Sequence, residues 1–493
     1  MTVSRPPVRG RRARPAPFLL AAVLASSGAA FAPPASADDA ADEVRRLRAD
    51  LDAERSARGA LEARLAALER AQSAPAADEI RAQIDAYMTE KSLFETAPAA
   101  SLGAASSASF LDVSVMLAAQ FGSSTATDEA LGGIMLGDHD PHVRGANVRN
   151  EELVVSADVD PYFTGFLDVV WKIDEEGESQ FELEEAYGQT TSLPCGLQWK
   201  LGQFFTEFGR SNPTHPHAWE FMNTPVVLGR VFGPDGYRGQ GMRLSWAVPT
   251  CGSCPITLLA GWQNARGETQ ASFLGEEGEE MGDHVLVERD VARLSDLSWH
   301  ARAEMSCDRP GPCAGTLSWL AGLSAAYGPN ATGPDGSTSV YGADFFLKWR
   351  PGSTDGGWPW VAWQTEVVWR DYRADDQVQT VDDGAGGTTD VLVPSKTYED
   401  WGFYSQLVWG FCRPWTVGLR LDWADSDGIY PGSHTRVSGA LTYYPSEFSR
   451  LRLQVQWDDV DGLSDEYAHT DDGNVSVWLG VDLALGKHGA HKF

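Results

Sequence analysis

Residues 475–485 read VSVWLGVDLAL, and they show the pattern from which the fold class can be predicted. Apolar residues occupy every second position, from Val475 to Leu485, and a period of two is typical of a β-strand whose faces meet different surroundings. The intervening positions are Ser476, Trp478, Gly480, Asp482 and Ala484. One face therefore suits hydrocarbon, whereas the other keeps a charge.

The same alternation recurs along the chain, as in residues 242–246, 417–423 and 451–457. An even number of strands is what a closed antiparallel barrel with both ends on one side of a membrane requires. The sequence therefore predicts an all-β fold, a transmembrane antiparallel β-barrel of about 16 strands preceded by an α-helical coiled coil. The sixteen segments centre near residues 115, 155, 168, 185, 201, 244, 260, 301, 321, 344, 366, 405, 419, 440, 454 and 480.

The connections between the segments alternate in length. Short turns with longer outer loops are the known asymmetry of outer-membrane barrels, and a soluble sandwich or propeller gives no such alternation. The short connections are 160–161, 193–196, 249–255, 307–313, 351–359, 411–414 and 445–448, and the longer ones include 123–150, 207–238, 265–296, 374–397 and 460–473. Aromatic residues near the strand ends indicate girdles at the membrane surfaces: Trp171, Trp246, Trp349, Trp369, Trp409, Trp423 and Tyr443.

The first hundred residues follow a different pattern. Residues 1–37 read as an export signal, with arginines, a short apolar stretch and a final Ala-Ser-Ala cleavage site. Residues 38–72 place apolar side chains at heptad a and d positions, which favours a coiled coil over a single amphipathic helix on a globular core. Residues 73–108 read as a linker with a short helix, and 109–493 as the barrel.

Composition and motifs exclude several functions. The chain has 69 acidic against 39 basic residues and a formal charge of -30, which argues against nucleic acid as its main partner. The sequence contains no G-x-S-x-G, H-E-x-x-H or P-loop motif, so we predict neither an enzyme nor a cofactor.

Six cysteines fall in the short turns assigned to the periplasmic side. An exported, oxidising location makes disulfides the default, with zinc binding and unpaired thiols as alternatives. Adjacency in sequence suggests the pairs Cys251–Cys254 and Cys307–Cys313, leaving Cys195 and Cys412.

The segment between the fifth and sixth predicted strands contains His215 and His217, which flank Pro216. Two histidines at this spacing can coordinate a metal if further ligands join them. The local sequence offers no compelling third ligand, so we favour hydrogen-bonding histidines and predict no metal. His488 and His491 form a second, equally weak pair.

Strand parity predicts which charged side chains line the pore. The predicted pore-lining residues are Lys200, Arg243, Arg302, Lys348, Arg370, Arg420, Arg436, Arg452, Glu182, Glu184, Glu304, Asp344, Glu366 and Asp422, with Asp458 and Asp482 on the same face. The arginines would either guide anions such as phosphate by bidentate hydrogen bonds or pair with the acids and stiffen the wall. Because the loop 207–238 is the longest near the constriction, we predict Arg210, His215, His217 and Arg230 as constriction residues.

Residues 208–221 read FGRSNPTHPHAWEF and residues 232–241 read FGPDGYRGQG, with a Pro225-Val226-Val227 step between them. In these stretches and in the final GKHGAHKF, the chain resembles bacterial outer-membrane porins of the phosphate-selective porin O and P type. It is also similar to barrel proteins often labelled zinc-regulated TonB-dependent outer-membrane receptors. The resemblance covers about residues 105–493 and implies a porin barrel, with Phe493 matching the aromatic end of many such barrels.

These patterns together predict a porin in the outer membrane of a Gram-negative-type bacterium, with its coiled coil in the periplasm. The predicted partners are outer-membrane lipid, small hydrophilic solutes or ions that diffuse passively, two further copies in a homotrimer, and the cell wall. The alternatives are a structural anchor that spaces the membrane from the cell wall through the coiled coil, and a secreted all-β enzyme or binding protein.

Overall fold

The computed structural model describes residues 111–148, 150–174, 177–191, 193–250, 252–355, 357–382, 388–430, 432–461 and 473–486. The predicted signal peptide, coiled coil and linker lie outside the described residues, as do Cys251 and the pair His488 and His491. No helix within the described ranges is long and apolar enough to cross a membrane.

Sixteen strands form one closed antiparallel barrel, as the alternation predicts. Each strand pairs with the one before it, and the last pairs with the first through eleven residue pairs from Ser114↔Gly486 to Ser124↔Ser476. The strands are β1 Asp112–Ser124, β2 Glu151–Asp160, β3 Phe163–Ile173, β4 Ser179–Thr190, β5 Leu197–Phe205, β6 Arg238–Val248, β7 Ile256–Asn264, β8 Leu297–Gly311, β9 Gly315–Pro329, β10 Ser337–Arg350, β11 Trp360–Ala374, β12 Lys396–Cys412, β13 Trp415–Ser426, β14 His434–Ser446, β15 Ser449–Val460 and β16 Asn474–Gly486.

The remaining elements lie in the connections. Within the described ranges, the two short helices are α1 Asp128–Ile134, capped by the Thr127 side chain, and α2 Val226–Phe232. Single 3₁₀ turns form at Pro194–Gly196, Pro216–Ala218, Glu268–Gln270 and Leu294–Asp296. The short strand Gly145–Asn147 pairs with the end of β1, and two hairpins form from Glu280–Met281 with His284–Val285 and from Gln377–Asp382 with Thr388–Val393.

The two faces of the wall differ as the alternation requires. On β16, the apolar Val475, Val477 and Leu479 are 41 to 45% exposed, whereas Ser476 and Trp478 between them are almost completely buried. Inside this barrel the connections cover the inner face, as Ala126 and Met222 cover Trp478, so the exposed apolar set points outward and the buried polar set inward. The outward leucines and valines form the surface that a hydrocarbon environment would cover.

The predicted disulfide pairing is wrong. Cys254 bonds to Cys307 across 53 residues, and Cys195, Cys313 and Cys412 are exposed free thiols. Cys307 lies within β8, which continues to Gly311, so it is not a turn residue. Antiparallel pairing of β7 with β8 brings the Cα atoms of Cys254 and Cys307 to 4.5 Å, a proximity that depends on strand order and not on distance along the chain.

Candidate functional site

The interior of the barrel collects the charged residues predicted to line a pore. Eight basic residues of that set are buried: Lys200, Arg243, Arg302, Lys348, Arg370, Arg420, Arg436 and Arg452. Among the acids, Glu184, Asp344, Glu366, Asp422, Asp458 and Asp482 are buried, and Glu182 and Glu304 are partly exposed. All of them face inward or reach the rim, and their part in permeation stays a prediction.

The arginines inside the barrel pair with carboxylates, mostly on the same or the neighbouring strand. This is one of the two roles that the sequence left open for them. The pairs are Arg302 with Asp344 at 2.5 Å, Arg370 with Asp400, Arg420 with Asp422 at 2.7 Å, Arg436 with Asp458 at 2.5 Å, and Arg452 with Asp482 at 3.1 Å. A buried guanidinium with an adjacent carboxylate is compensated in place. That these pairs stiffen the wall stays a prediction.

Residues 206–237, hereafter the interior segment, connect β5 to β6 and fold into the barrel. The strands that flank it pair with each other at Phe205 and Arg238, so both ends of the segment lie side by side. Its middle nevertheless reaches the far wall, where the backbone N–H of Val226 donates to Asp422 on β13 at 3.2 Å. Because β13 is eight strands from β5 in a barrel of sixteen, the segment crosses the whole interior.

Helix α2 of the interior segment anchors a hydrophobic core within the barrel. All seven of its residues are buried. Around it pack inward-facing wall residues and other parts of the connections: Phe208, Tyr237, Phe273, Leu286, Val340, Val368, Tyr372, Tyr398, Tyr404 and Ala424. At Gly209, where φ is +63°, a Cβ atom would lie 2.1 Å from the carboxylate of Glu366, so only glycine allows this close approach to the wall.

The two predicted constriction arginines hold the interior segment against the wall. Arg210 donates from Nε to the side chain of Gln364 at 3.2 Å and lies 4.0 Å from the ring centre of Phe346. Arg230 donates to the carbonyl of Gly432 at 2.9 Å and is 4% exposed. Burial lowers the pKa of both guanidinium groups. Their predicted role as constriction residues stays a prediction, and the contacts seen here are structural.

A second connection, residues 125–150, joins the interior segment inside the barrel. The carboxylate of Asp140 accepts a hydrogen bond from the backbone N–H of Thr224 at 2.8 Å, and burial raises the pKa of this carboxyl. Arg436 on β14 donates to the carbonyl of Ile134 at 2.6 Å and to that of Thr224 at 3.2 Å. One wall arginine therefore holds both connections.

The two predicted constriction histidines meet a group of carboxylates on β2 to β4. His215 Nδ1 lies 3.0 Å from Glu184 Oε2 and 3.4 Å from Asp168 Oδ2, and its Nε2 lies 3.0 Å from Glu185 Oε2. The remaining contacts are His217 Nδ1 with Glu152 Oε2 at 2.5 Å and His139 Nε2 with Glu184 Oε1 at 2.9 Å. We call these seven residues the acid–histidine cluster.

A β-bulge builds this cluster. Asp168 on β3 pairs with Glu185, and the next residue, Val169, pairs with Leu183, so Glu184 has no partner in the ladder. The extra residue turns Glu184 and Glu185 to the same side, and both are buried, whereas regular alternation would send one of them outward. The prediction from strand parity included Glu184 but missed Glu185 for this reason.

Three further members were missed by the sequence reasoning. Glu152 and Asp168 occupy inward positions on β2 and β3, and strand parity applied to those two strands would have found them. His139 lies in the connection 125–150, and no local sequence pattern predicts that it reaches the cluster. Burial opposes the charged form of His215, but hydrogen bonds with Glu184 and Glu185 outweigh it, so the pKa of His215 lies well above its ordinary value.

Comparison with other proteins gives distant relationships. No protein-family model matches the sequence. An uncharacterized protein of Aquifex aeolicus (strain VF5) is 31% identical over 332 residues, which is 63% of this chain and 63% of that protein's length.

Solved structures with similar folds include three outer-membrane proteins. The anion-selective porin from Comamonas acidovorans has a TM-score of 0.44 at 10% identity and covers 76% of this chain and 99% of its own. The channel DcaP of Acinetobacter baumannii gives 0.43 at 11% identity, with 76% and 96% covered, and OprB of Pseudomonas putida gives 0.44 at 10%, with 76% and 94% covered. Because these TM-scores are below 0.5, the similarities carry no argument about the fold, which the strand pairing defines.

Proposed function

We propose that this protein is an outer-membrane channel of the porin kind, through which small hydrophilic solutes or ions diffuse passively. One observation carries the proposal: a closed wall of sixteen strands is apolar and exposed on its outside and charged and buried on its inside. A water-soluble barrel would reverse this order, because apolar side chains leave water and charged ones stay in it. A polar interior behind an apolar outer face is typical of outer-membrane barrels, including those that enclose a water-filled channel.

The interior segment would set the size of this path. It crosses the barrel between β5 and β13 and packs a hydrophobic core against the wall, so we expect small conductance steps from the protein as it folds here. A wider path requires this segment to move away from β11 to β15.

The interior charges support a preference for anions on one side of the barrel. Arg450 and Arg452 share a single carboxylate, that of Asp482, at 2.6 and 3.1 Å. These three side chains therefore carry one positive charge in excess, with Glu220 near both arginines, on a strand next to the Arg436 pair. Phosphate, as the resemblance implies, is one anion that such guanidinium groups would hold by bidentate hydrogen bonds.

Conductance of detergent-purified protein in a planar bilayer tests the proposal. The matched pair of variants replaces residues 207–236 by an Asn-Gly turn, which suits strands already paired at Phe205 and Arg238, and residues 378–392, an exposed hairpin, by the same turn. We expect small, discrete steps from the wild type, much larger steps without the interior segment, and unchanged steps without the hairpin. The reversal potential in a salt gradient gives the sign of selectivity, and Arg452→Gln should shift it toward cations.

Two outcomes would overturn the proposal. Protein that inserts into the bilayer but conducts nothing, even without the interior segment, would favour the structural anchor. Protein that stays soluble without detergent would contradict the membrane barrel itself.

A further inference from the structure

We propose that the acid–histidine cluster binds one divalent transition-metal ion, with Glu152, Asp168 and His215 as its central ligands. One ligand atom from each of these three side chains lies within 4.8 Å of the other two. Nitrogen and oxygen ligands at about 2.0–2.2 Å from a common ion stand about 3.4 Å apart in tetrahedral geometry, so small side-chain shifts suffice.

The charge balance of the cluster favours a cation. Four carboxylates are buried together: Glu152, Asp168, Glu184 and Glu185. Within the described ranges of the chain, no lysine or arginine nitrogen lies within 4.0 Å of their oxygens, and their ion-pair partners are histidines. Several other buried acids in the same barrel have an arginine partner, as Asp458 has Arg436 and Asp344 has Arg302. Buried carboxylates require a compensating positive charge or a metal, because an isolated buried charge is very costly.

Asp168 supplies an independent observation. It is 1% exposed, and neither of its carboxylate oxygens makes a hydrogen bond; the nearest cationic group is His215 Nδ1 at 3.4 Å from Oδ2. Buried polar atoms in folded proteins nearly always have a partner, so two open oxygens on one buried carboxylate point to a missing ligand. They face the same space that His215 and Glu152 border.

The donor set selects the class of ion. Imidazole together with carboxylates suits the borderline divalent ions from manganese to zinc, whereas calcium and magnesium prefer oxygen alone. A second acidic group, Asp138, Glu182 and Asp235, differs in this respect, because Lys172 and Arg238 contact it. Lys172 and Arg238 therefore already compensate these three carboxylates, and we assign no metal to this group.

An ion in the acid–histidine cluster would join separate parts of the molecule. Glu152 and Asp168 belong to the wall strands β2 and β3, whereas His215 belongs to the interior segment. The ion would thus link the interior segment to the wall at His215. This inference does not depend on the channel proposal, because metal binding is measured on protein in detergent without any conductance.

Titration of the full-length, chelator-treated protein with Zn²⁺, followed by calorimetry and by metal analysis after gel filtration, tests the site. We expect one ion per chain, with affinity falling roughly tenfold or more in Asp168→Asn and in His215→Gln. The matched control is His434→Gln, because His434 is also buried against a carboxylate, Asp458 at 2.9 Å, on a distant strand. The control, and a variant with His488→Gln and His491→Gln, should bind as the wild type does.

Co²⁺ gives a second readout that does not rely on affinity. Its visible absorption should report mixed nitrogen and oxygen ligands in the wild type and change in Asp168→Asn. A difference in gel migration between heated and unheated samples shows whether each variant is folded. If Asp168→Asn or His215→Gln does not fold, His217→Gln is measured in its place. Absence of binding to the folded wild type, binding unaffected by Asp168→Asn and His215→Gln, or a preference for Ca²⁺ over Zn²⁺ would each overturn the proposal.

Discussion

Arg436→Met should release the connections that fill the barrel. Arg436 is fully buried on β14 and donates to Ile134 O at 2.6 Å and to Thr224 O at 3.2 Å, one in each of the two connections folded inside. Its bond to Asp458 lies within the wall, on the rung that pairs the two residues, and so persists when the connections move away. Of the hydrogen bonds of Arg436, the two to carbonyls and a longer one to Met135 Sδ at 3.9 Å therefore distinguish the packed from the released state, and the two to carbonyls are the strong ones.

The size of the effect follows from those two bonds. A hydrogen bond to a charged group contributes about 1.5–3 kcal/mol, so the lower value gives about 3 kcal/mol for both. Since about 1.4 kcal/mol corresponds to a tenfold change in an equilibrium constant, the released population should rise roughly a hundredfold. Methionine keeps the length of the side chain and removes the donors.

Two measurements report the released state. Single-channel recording should show a longer time in large-conductance states, and trypsin should cleave faster after Arg230, which is 4% exposed in the packed state. Arg373→Met is the control, because Arg373 is exposed at the end of β11. The double variant Arg436→Met with Asp458→Asn avoids an uncompensated carboxylate. A folded variant with wild-type cleavage and wild-type open times would refute the reasoning.

Three further predictions concern the covalent link, the outer face and the pH dependence. Peptide mapping of the alkylated, unreduced protein should find Cys254 joined to Cys307 and label on Cys195, Cys313 and Cys412, whereas a Cys307–Cys313 peptide would contradict the structure. Leu479→Arg, in the middle of β16, should lower the free energy of unfolding from lipid vesicles by about 2–4 kcal/mol and Leu485→Arg, near the strand end, by about 0–1 kcal/mol; equal losses in urea titrations would speak against the assigned outer face. Burial, with Asp138 nearby, raises the pKa of Asp235 to about 7, in surroundings that also contain Lys172, His139, Arg238 and Glu268. Because this folded-state pKa exceeds the unfolded value, the contribution of Asp235 to stability is complete below about pH 4 and is lost as the pH rises through about 7. Asp235→Asn should flatten the thermal stability over that range, and an unchanged slope would disprove the assignment.

The strand count could be predicted because it depends on a local property. Alternation of Val475, Ser476 and Val477 reflects two environments on two faces of one strand, and each of the sixteen strands shows it independently of its neighbours. The inward position of Arg436 and Asp458 follows from the same parity. These features need no knowledge of which residues meet in space.

The remainder depends on contacts that no local pattern contains. Cys254 reaches Cys307 because β7 and β8 are neighbours, and adjacency along the chain pointed elsewhere. The extra residue at Glu184 interrupts the alternation, so parity after it assigns the wrong face. The carboxylate partners of His215 lie on β3 and β4, so the sequence around Pro216 does not contain them.

The pairing of β1 with β16 has a consequence for how the barrel is made. The two strands that complete the ring are the first and the last of the sixteen, and their eleven residue pairs join Ser114 to Gly486 and Ser124 to Ser476. Without the last strand, the preceding ones can form at most a curved sheet with two open edges, and open edges are templates for pairing with other chains. The edge of β1 that faces β16 therefore stays unpaired until the last strand is in place. A nonsense mutation before residue 474 would leave a sheet that cannot close, and we expect the cell to degrade that product.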